Sequence, residues 1–173
     1  MKRVVVYESQ TGSTKQYAEW IARQIDAQLI ALNECTASIL QQADLIVFGG
    51  SVHGGSINGK RKFSKIAKKA TANNLIYFGV GIRPSTPRTL ELIRNSNFDS
   101  NSNVPLFYFR GKFDPDALNQ SDKTMIRIYQ SMLKRRRDIH QEDVELLDTM
   151  RYPCDFISEE QIDPLVQEIR NRI

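Results

Sequence analysis

Four short, uninterrupted apolar runs constrain this 173-residue chain more than any other feature: Val4–Tyr7, Leu45–Phe48, Leu75–Val80 and Val104–Phe109. A strand with one wet face alternates apolar and polar residues. A run without that alternation reads as a strand buried on both faces, as in a parallel sheet covered by helices. Helical spacings separate the runs. Ala18, Ile21, Ala22 and Ile25 place a helix in residues 13–27, and Ile57, Phe63, Ile66 and Ala67 stripe a second over 57–70. Pro87 opens a third with Leu90 and Ile93 facing inward, and Glu159–Ile173 closes the chain on Ile162, Leu165, Val166 and Ile169. Gln28–Leu32 adds a weaker strand, and Cys35–Gln42 a short helix capped by Thr36 or Ser38. Strands alternating with helices in units of about 30 residues specify an α/β fold with a five-stranded parallel sheet. Residues 110–157 are left as an excursion between the fifth strand and the last helix, within one domain over 1–173.

With 40% hydrophobic and 25% charged residues, the chain is expected to fold rather than remain disordered. No apolar run approaches the ~20 residues of a membrane-spanning helix. The opening MKRVVVYESQ is too short for a signal-peptide core. Two cysteines, Cys35 and Cys154, suit a reducing, cytoplasmic compartment, with one disulfide left open. The net charge of +4 hides a strong asymmetry. Residues 60–137 carry 17 basic and five acidic side chains, whereas 138–173 carry three and ten. A basic middle points to an anionic ligand or partner there.

The nine glycines all follow these strands. Glycine ends strands for turn reasons alone, but five between 49 and 59 suggest a ligand that the backbone approaches closely. In open parallel sheets ligands bind at the carboxyl ends of the strands. There, Ser9-Gln10-Thr11-Gly12-Ser13-Thr14 surrounds one glycine with four hydroxyls at a helix N-terminus. Free N–H groups and the helix dipole favour an anion at such a place, although plain capping by Ser13 or Thr14 needs only one hydroxyl. The loop has no Lys or Arg, so a phosphate would be held by hydrogen bonds alone.

This loop, on a first strand and before Ala18 and Ile21, resembles the phosphate-loop signature of the flavodoxins, which bind FMN without a covalent link. The resemblance implies a three-layer flavodoxin-like sandwich with strand order 2-1-3-4-5. It implies that Ser9, Thr11, Gly12, Ser13 and Thr14 hold the FMN phosphate, with Gln10 contributing mainly backbone. Gly50, Ser51, Val52, His53 and Gly54 would lie along the ring edge, and Gly81, Ile82 and Arg83, before Pro84, would cover its other side. Electron-carrier flavodoxins are acidic and usually sandwich the ring between aromatic residues; these loops offer Val52, His53, Ile82 and Arg83 instead. Arg83 is either a cation near the flavin N1 and C2=O, which would raise its potential, or a solvated loop charge. His53 is either a flavin-edge group or a structurally bonded histidine. In layout the chain is similar to menaquinone-dependent protoporphyrinogen oxidases, which carry a long insertion after the fifth strand. An oxidoreductase acting on a quinone or porphyrinogen is therefore expected; the alternatives are a one-electron carrier serving a redox partner protein and a non-catalytic basic docking module.

Within the excursion, Met125, Ile128, Tyr129, Met132 and Leu133 give residues 123–137 a helical stripe that ends in Lys134-Arg135-Arg136-Arg137. Such a helix either contacts an anionic membrane or acidic partner peripherally, or packs on the domain with its cations at the dipole's negative end. Aromatic residues are too sparse among the basic runs for nucleic-acid stacking to be expected. Gly54-x4-Gly59-Lys60 matches a nucleotide-binding P-loop until Arg61 stands where Ser or Thr should hold magnesium, and no metal site is expected. Gly79-x-Gly81 begins a dinucleotide fingerprint but meets Pro84.

Overall fold

Each apolar run becomes a strand whose neighbouring residues enter opposite cores. The computed structural model describes residues 1–172. Strands β1 (Arg3–Glu8), β2 (Gln28–Ala31), β3 (Leu45–His53), β5 (Leu75–Gly81) and β6 (Leu106–Arg110) form one sheet in the order β2-β1-β3-β5-β6. All four pairings along it are parallel. Val4, Val6, Ile46, Phe48 and Tyr77 face one side; Val5, Val47, Ile76 and Phe78 face the other. Helices α2 (Ala37–Gln41), α3 (Lys60–Lys69) and α4 (Pro87–Asn97) cover the first side through Leu40, Phe63, Ala67 and Ile93. Helices α1 (Ser13–Gln24) and α7 (Asp163–Arg170) cover the second through Tyr17, Ile21, Leu165 and Ile169. This is the expected topology, displaced in numbering by one small strand.

That strand is β4 (Ser56–Ile57), and it corrects the expected start of the basic helix. Strand β3 continues past the sheet to His53, turns through Gly54 and Gly55 at φ +56° and +90°, and pairs back on itself. The pairs are Val52 with Ile57 and His53 with Ser56. Two residues at positive φ form the tight hairpin turn whose twist suits a β-ribbon. Ile57 therefore belongs to a hairpin, and α3 begins only after Gly59, which caps it at φ +77°.

The excursion is closed at its base. Strand β7 (Lys112–Phe113) pairs antiparallel with β8 (Cys154–Asp155), inside the expected limits of 110 and 157. Between them run α5 (Gln120–Lys134) and α6 (Gln141–Thr149). Helix α5 starts three residues early because Asn119 Oδ1 accepts the Asp122 amide at 2.8 Å, and it stops at Lys134 rather than 137. The expected last helix divides into a 3-10 turn over Glu159–Ile162 and α7, with Pro164 in the first turn of α7, where its missing N–H costs nothing. Ile173 lies outside the described residues. Cys35 and Cys154 are both free. Among the described residues, no helix is long and apolar enough to cross a membrane.

Candidate functional site

The carboxyl edge of the sheet gathers three loops: residues 9–12 after β1, the β3–β4 hairpin, and residues 82–86 after β5. Gly12, at φ +94°, leads into α1 without any side-chain cap, and no acidic residue stands in the first helical turn. The partial positive charge of this 12-residue helix is thus unanswered by the protein. Ser9 Oγ accepts the Gly12 N–H at 3.1 Å and fixes the loop. Ser13 and Thr14 are buried beneath it, while Gln10, Thr11 and Gly12 form an exposed crest. Ser13 Oγ also accepts the Lys112 N–H at 3.4 Å, joining the loop to the stem of the excursion.

A Cβ placed on each glycine separates those facing protein from those facing space. At Gly49 it would lie 1.9 Å from the Phe78 ring, and at Gly50 2.2 Å from the Asn58 carbonyl oxygen. Gly55, Gly59, Gly79, Gly81 and Gly111 are likewise filled by neighbouring side chains. Only at Gly12 and Gly54 would it meet nothing within 4 Å. The expected meaning of the 49–59 cluster is therefore narrowed: four of its five glycines let the hairpin and sheet pack, and Gly54 alone faces open space.

On the hairpin, Ser51 is half-buried and His53 exposed, with His53 Nε2 and Ser51 Oγ hydrogen-bonded at 3.1 Å. Val52 turns inward and fills the space over Gly79. The surroundings of Arg83 correct one of its two expected roles, that of a solvated loop charge. Its guanidinium donates to Asp143 Oδ1 at 3.0 Å and to the Tyr129 hydroxyl at 2.9 Å, with the side chain 12% exposed. Arg83 is thus a paired rather than a solvated charge, and it anchors α5 and α6 to the loop after β5. Burial alone would raise the Asp143 carboxyl, but Arg83, the His140 N–H and Arg88 together hold it below the usual aspartate range. Ile82 contributes its carbonyl, which accepts Arg110 Nη2 at 3.2 Å.

Sequence reasoning missed Arg110. Its position at the carboxyl end of the last strand, directly before Gly111, was the signal available. Besides Ile82 it reaches Glu145 at 3.4 Å and lies 3.6 Å over the Phe156 ring. Its buried Nε–H has no partner in the protein. Tyr108 packs under Gly81 and donates its hydroxyl to the Arg83 carbonyl at 3.1 Å, and burial pushes its pKa well up. The loop after β5 is therefore held from below by Tyr108 and from the side by the excursion.

The residues present fit FMN where its demands are strictest. A dianionic phosphate matches the uncapped α1 terminus, the hydroxyls of Ser9, Thr11, Ser13 and Thr14, and the open space at Gly12. Gly54, open at the hairpin tip, and the loop at Gly81–Arg83 would border the ring, with no aromatic side chain in either.

A family model described as "Flavodoxin domain" matches residues 4–140. No curated protein matches the chain. Among solved structures it is similar to a WrbA-like flavodoxin from Agrobacterium tumefaciens, at 21% identity over 74% of this chain and 91% of the other, with a TM-score of 0.45. Flavodoxin 2 from Bacillus cereus is 14% identical over 79% of this chain and 100% of its own, with a TM-score of 0.41. The two-electron reduced flavodoxin of Megasphaera elsdenii is 15% identical over 61% and 82%, with a TM-score of 0.45. The chain belongs to the flavodoxin domain family, which indicates FMN as its cofactor.

Proposed function

We propose that this protein is an FMN-dependent oxidoreductase of the quinone-coupled or protoporphyrinogen oxidase-like type. Bound FMN supplies the electron-transfer chemistry; the chain's own residues hold its phosphate at α1 and shape access to its ring at the hairpin and the 82–86 loop. The observation that carries the reading is the outward face of α5. Met125, Ile128 and Met132 are 65%, 53% and 63% exposed, and Arg135, Arg136 and Arg137 follow directly. Only Leu133 of this helix is buried. Apolar side chains beside a cationic cluster suit the surface of an anionic bilayer, where a lipophilic acceptor such as a quinone resides. Because Arg83 binds Tyr129 of α5 and Asp143 of α6, this face is tied to the loop that borders the flavin site.

A second reading, a one-electron carrier without its own substrate, is favoured by the clefts. Two clefts, of about 500 and 410 Å³, both run along α3. Steady-state reoxidation of the reduced protein by a menaquinone analogue in anionic vesicles decides between them. Quinone-coupled function predicts turnover that falls sharply in Met125→Glu/Met132→Glu, with FMN binding retained. Efficient electron delivery to a protein acceptor without quinone turnover supports the carrier. Failure to gain yellow absorbance or quench FMN fluorescence on titration overturns both.

A further inference from the structure

The strongest uncommitted feature is the cleft of about 500 Å³ between α3 and α4. Lys60, Arg61, Ser64, Lys65 and Lys68 line one wall, and Ser96 stands on the other. The cations repeat along α3 at helical intervals and span about 12 Å from Lys60 to Lys68. They form a row rather than converging on a point.

These charges are not neutralised within the chain. Helix α3 holds six basic and no acidic residues. Among the described residues, no ion pair involves any of the six. The acidic segment 138–173 behaves in the opposite way: its carboxylates take part in seven of the eight ion pairs, all within the chain. Among the described residues, six of that segment's ten carboxylates are thus engaged, which leaves a second copy few to offer. Lys60 is also partly desolvated, its ammonium 4.4 Å from the Phe98 ring centre; burial draws its pKa down and Asp99 partly opposes this. An anion entering the cleft would replace the lost hydration.

We propose that this cleft docks an acidic segment of a partner protein, one presenting carboxylates at about 6 Å intervals, as extended or helical chains do. Helix α3 has no exposed large apolar side chain to enter a bilayer, and no aromatic ring lines the cleft for base stacking. Ser56 and Ile57 of the β3–β4 hairpin form part of the wall, so the partner would sit against the hairpin whose other end is the open Gly54. That the partner exchanges electrons with the flavin rests on the function proposed above; the docking itself does not.

Binding of a fluorescein-labelled oligo-glutamate peptide to the FMN-loaded protein, followed by anisotropy at low and physiological salt, tests this. We expect salt-sensitive binding, weakened roughly tenfold or more in Lys65→Glu/Lys68→Glu and to a smaller extent in Lys65→Gln/Lys68→Gln. Arg135→Gln/Arg136→Gln/Arg137→Gln should bind the peptide as the parent does. Undiminished binding in both α3 variants, or loss in the α5 variant alone, overturns the proposal. So does tighter α3-dependent binding of tripolyphosphate or a single-stranded oligonucleotide, which would make the cleft a polyphosphate site. FMN titrations of the same variants report separately: unchanged quenching is expected, and absent quenching in the parent removes the flavin reading without touching the docking result.

Discussion

Alanine at Gly12 would meet no atom within 4 Å, yet its backbone would be held at φ +94°, a conformation that costs an L-residue roughly 1–2 kcal/mol. Alanine at Gly49 has no such backbone penalty but would drive its Cβ into the Phe78 ring at 1.9 Å. The two substitutions should separate site from core. Gly49→Ala is expected to cost about 3 kcal/mol through overpacking, with FMN affinity little changed for the folded fraction. Gly12→Ala should cost less stability and weaken FMN severalfold by disturbing the phosphate loop. Thermal denaturation with parallel FMN titrations checks both. From sequence both are glycines that follow an apolar run, Gly49 directly and Gly12 after a hydroxyl-rich loop. The difference lies in whether Phe78, 29 positions from Gly49, folds back over it.

At the scale of elements, a buried coupling between the excursion and the loop after β5 is the Arg83–Asp143 pair. Its side chains are 12% and 2% exposed, so removing one partner leaves a buried charge unanswered. Asp143→Asn should therefore destabilise the docking of α5 and α6 by about 3 kcal/mol. Hydrogen exchange should rise across residues 112–155 ahead of the central strands. The pH dependence follows from the direction of the shift. The folded carboxyl titrates below its unfolded value, so its stabilisation is fully present above the unfolded pKa, near 4, and is lost as pH falls through the lower folded pKa. An acid-induced loosening of 112–155 that is present in the parent and missing in Asp143→Asn is the expected result. Equal acid profiles would assign the loosening to other carboxylates. The helix α5 stripe was legible in sequence, but its direction was not. Met125, Ile128 and Met132 have the spacing of a core face, and the anchoring of Tyr129 by Arg83 turns them outward.

Across the whole molecule, the first helix, the last sheet strand and the C-terminal segment meet at one buried hydroxyl. Tyr17 donates to the Arg110 carbonyl at 2.6 Å and accepts from Gln161 Nε2 at 2.6 Å and the Ser158 N–H at 3.3 Å. Gln161 also donates to the Phe156 carbonyl at 2.7 Å and accepts the Arg110 N–H at 2.7 Å. This network closes the chain over the base of the excursion. Tyr17→Phe keeps the ring packing and strands several of these partners, so a loss of about 2 kcal/mol is expected. For a domain of this size that is a fall in Tm of roughly 4–8 °C. A negligible change in scanning calorimetry would mean that water replaces the hydroxyl.

The layered fold and the hydroxyl-rich loop before α1 were determined by local sequence alone. A strand buried on both faces must be apolar throughout, an amphipathic helix must repeat near 3.6 residues, and a glycine among hydroxyls before such a helix leaves its N-terminus free. Each is a property of a few neighbouring residues. Tertiary structure alone decided which glycines face open space, that Arg83 is paired, that Arg110 reaches the edge loops, and that α5 turns its methionines outward. Those outcomes depend on contacts between residues such as Arg83 and Asp143, 60 positions apart. No local pattern encodes them, because a charge or a methyl group has its role set by what the folded chain brings beside it.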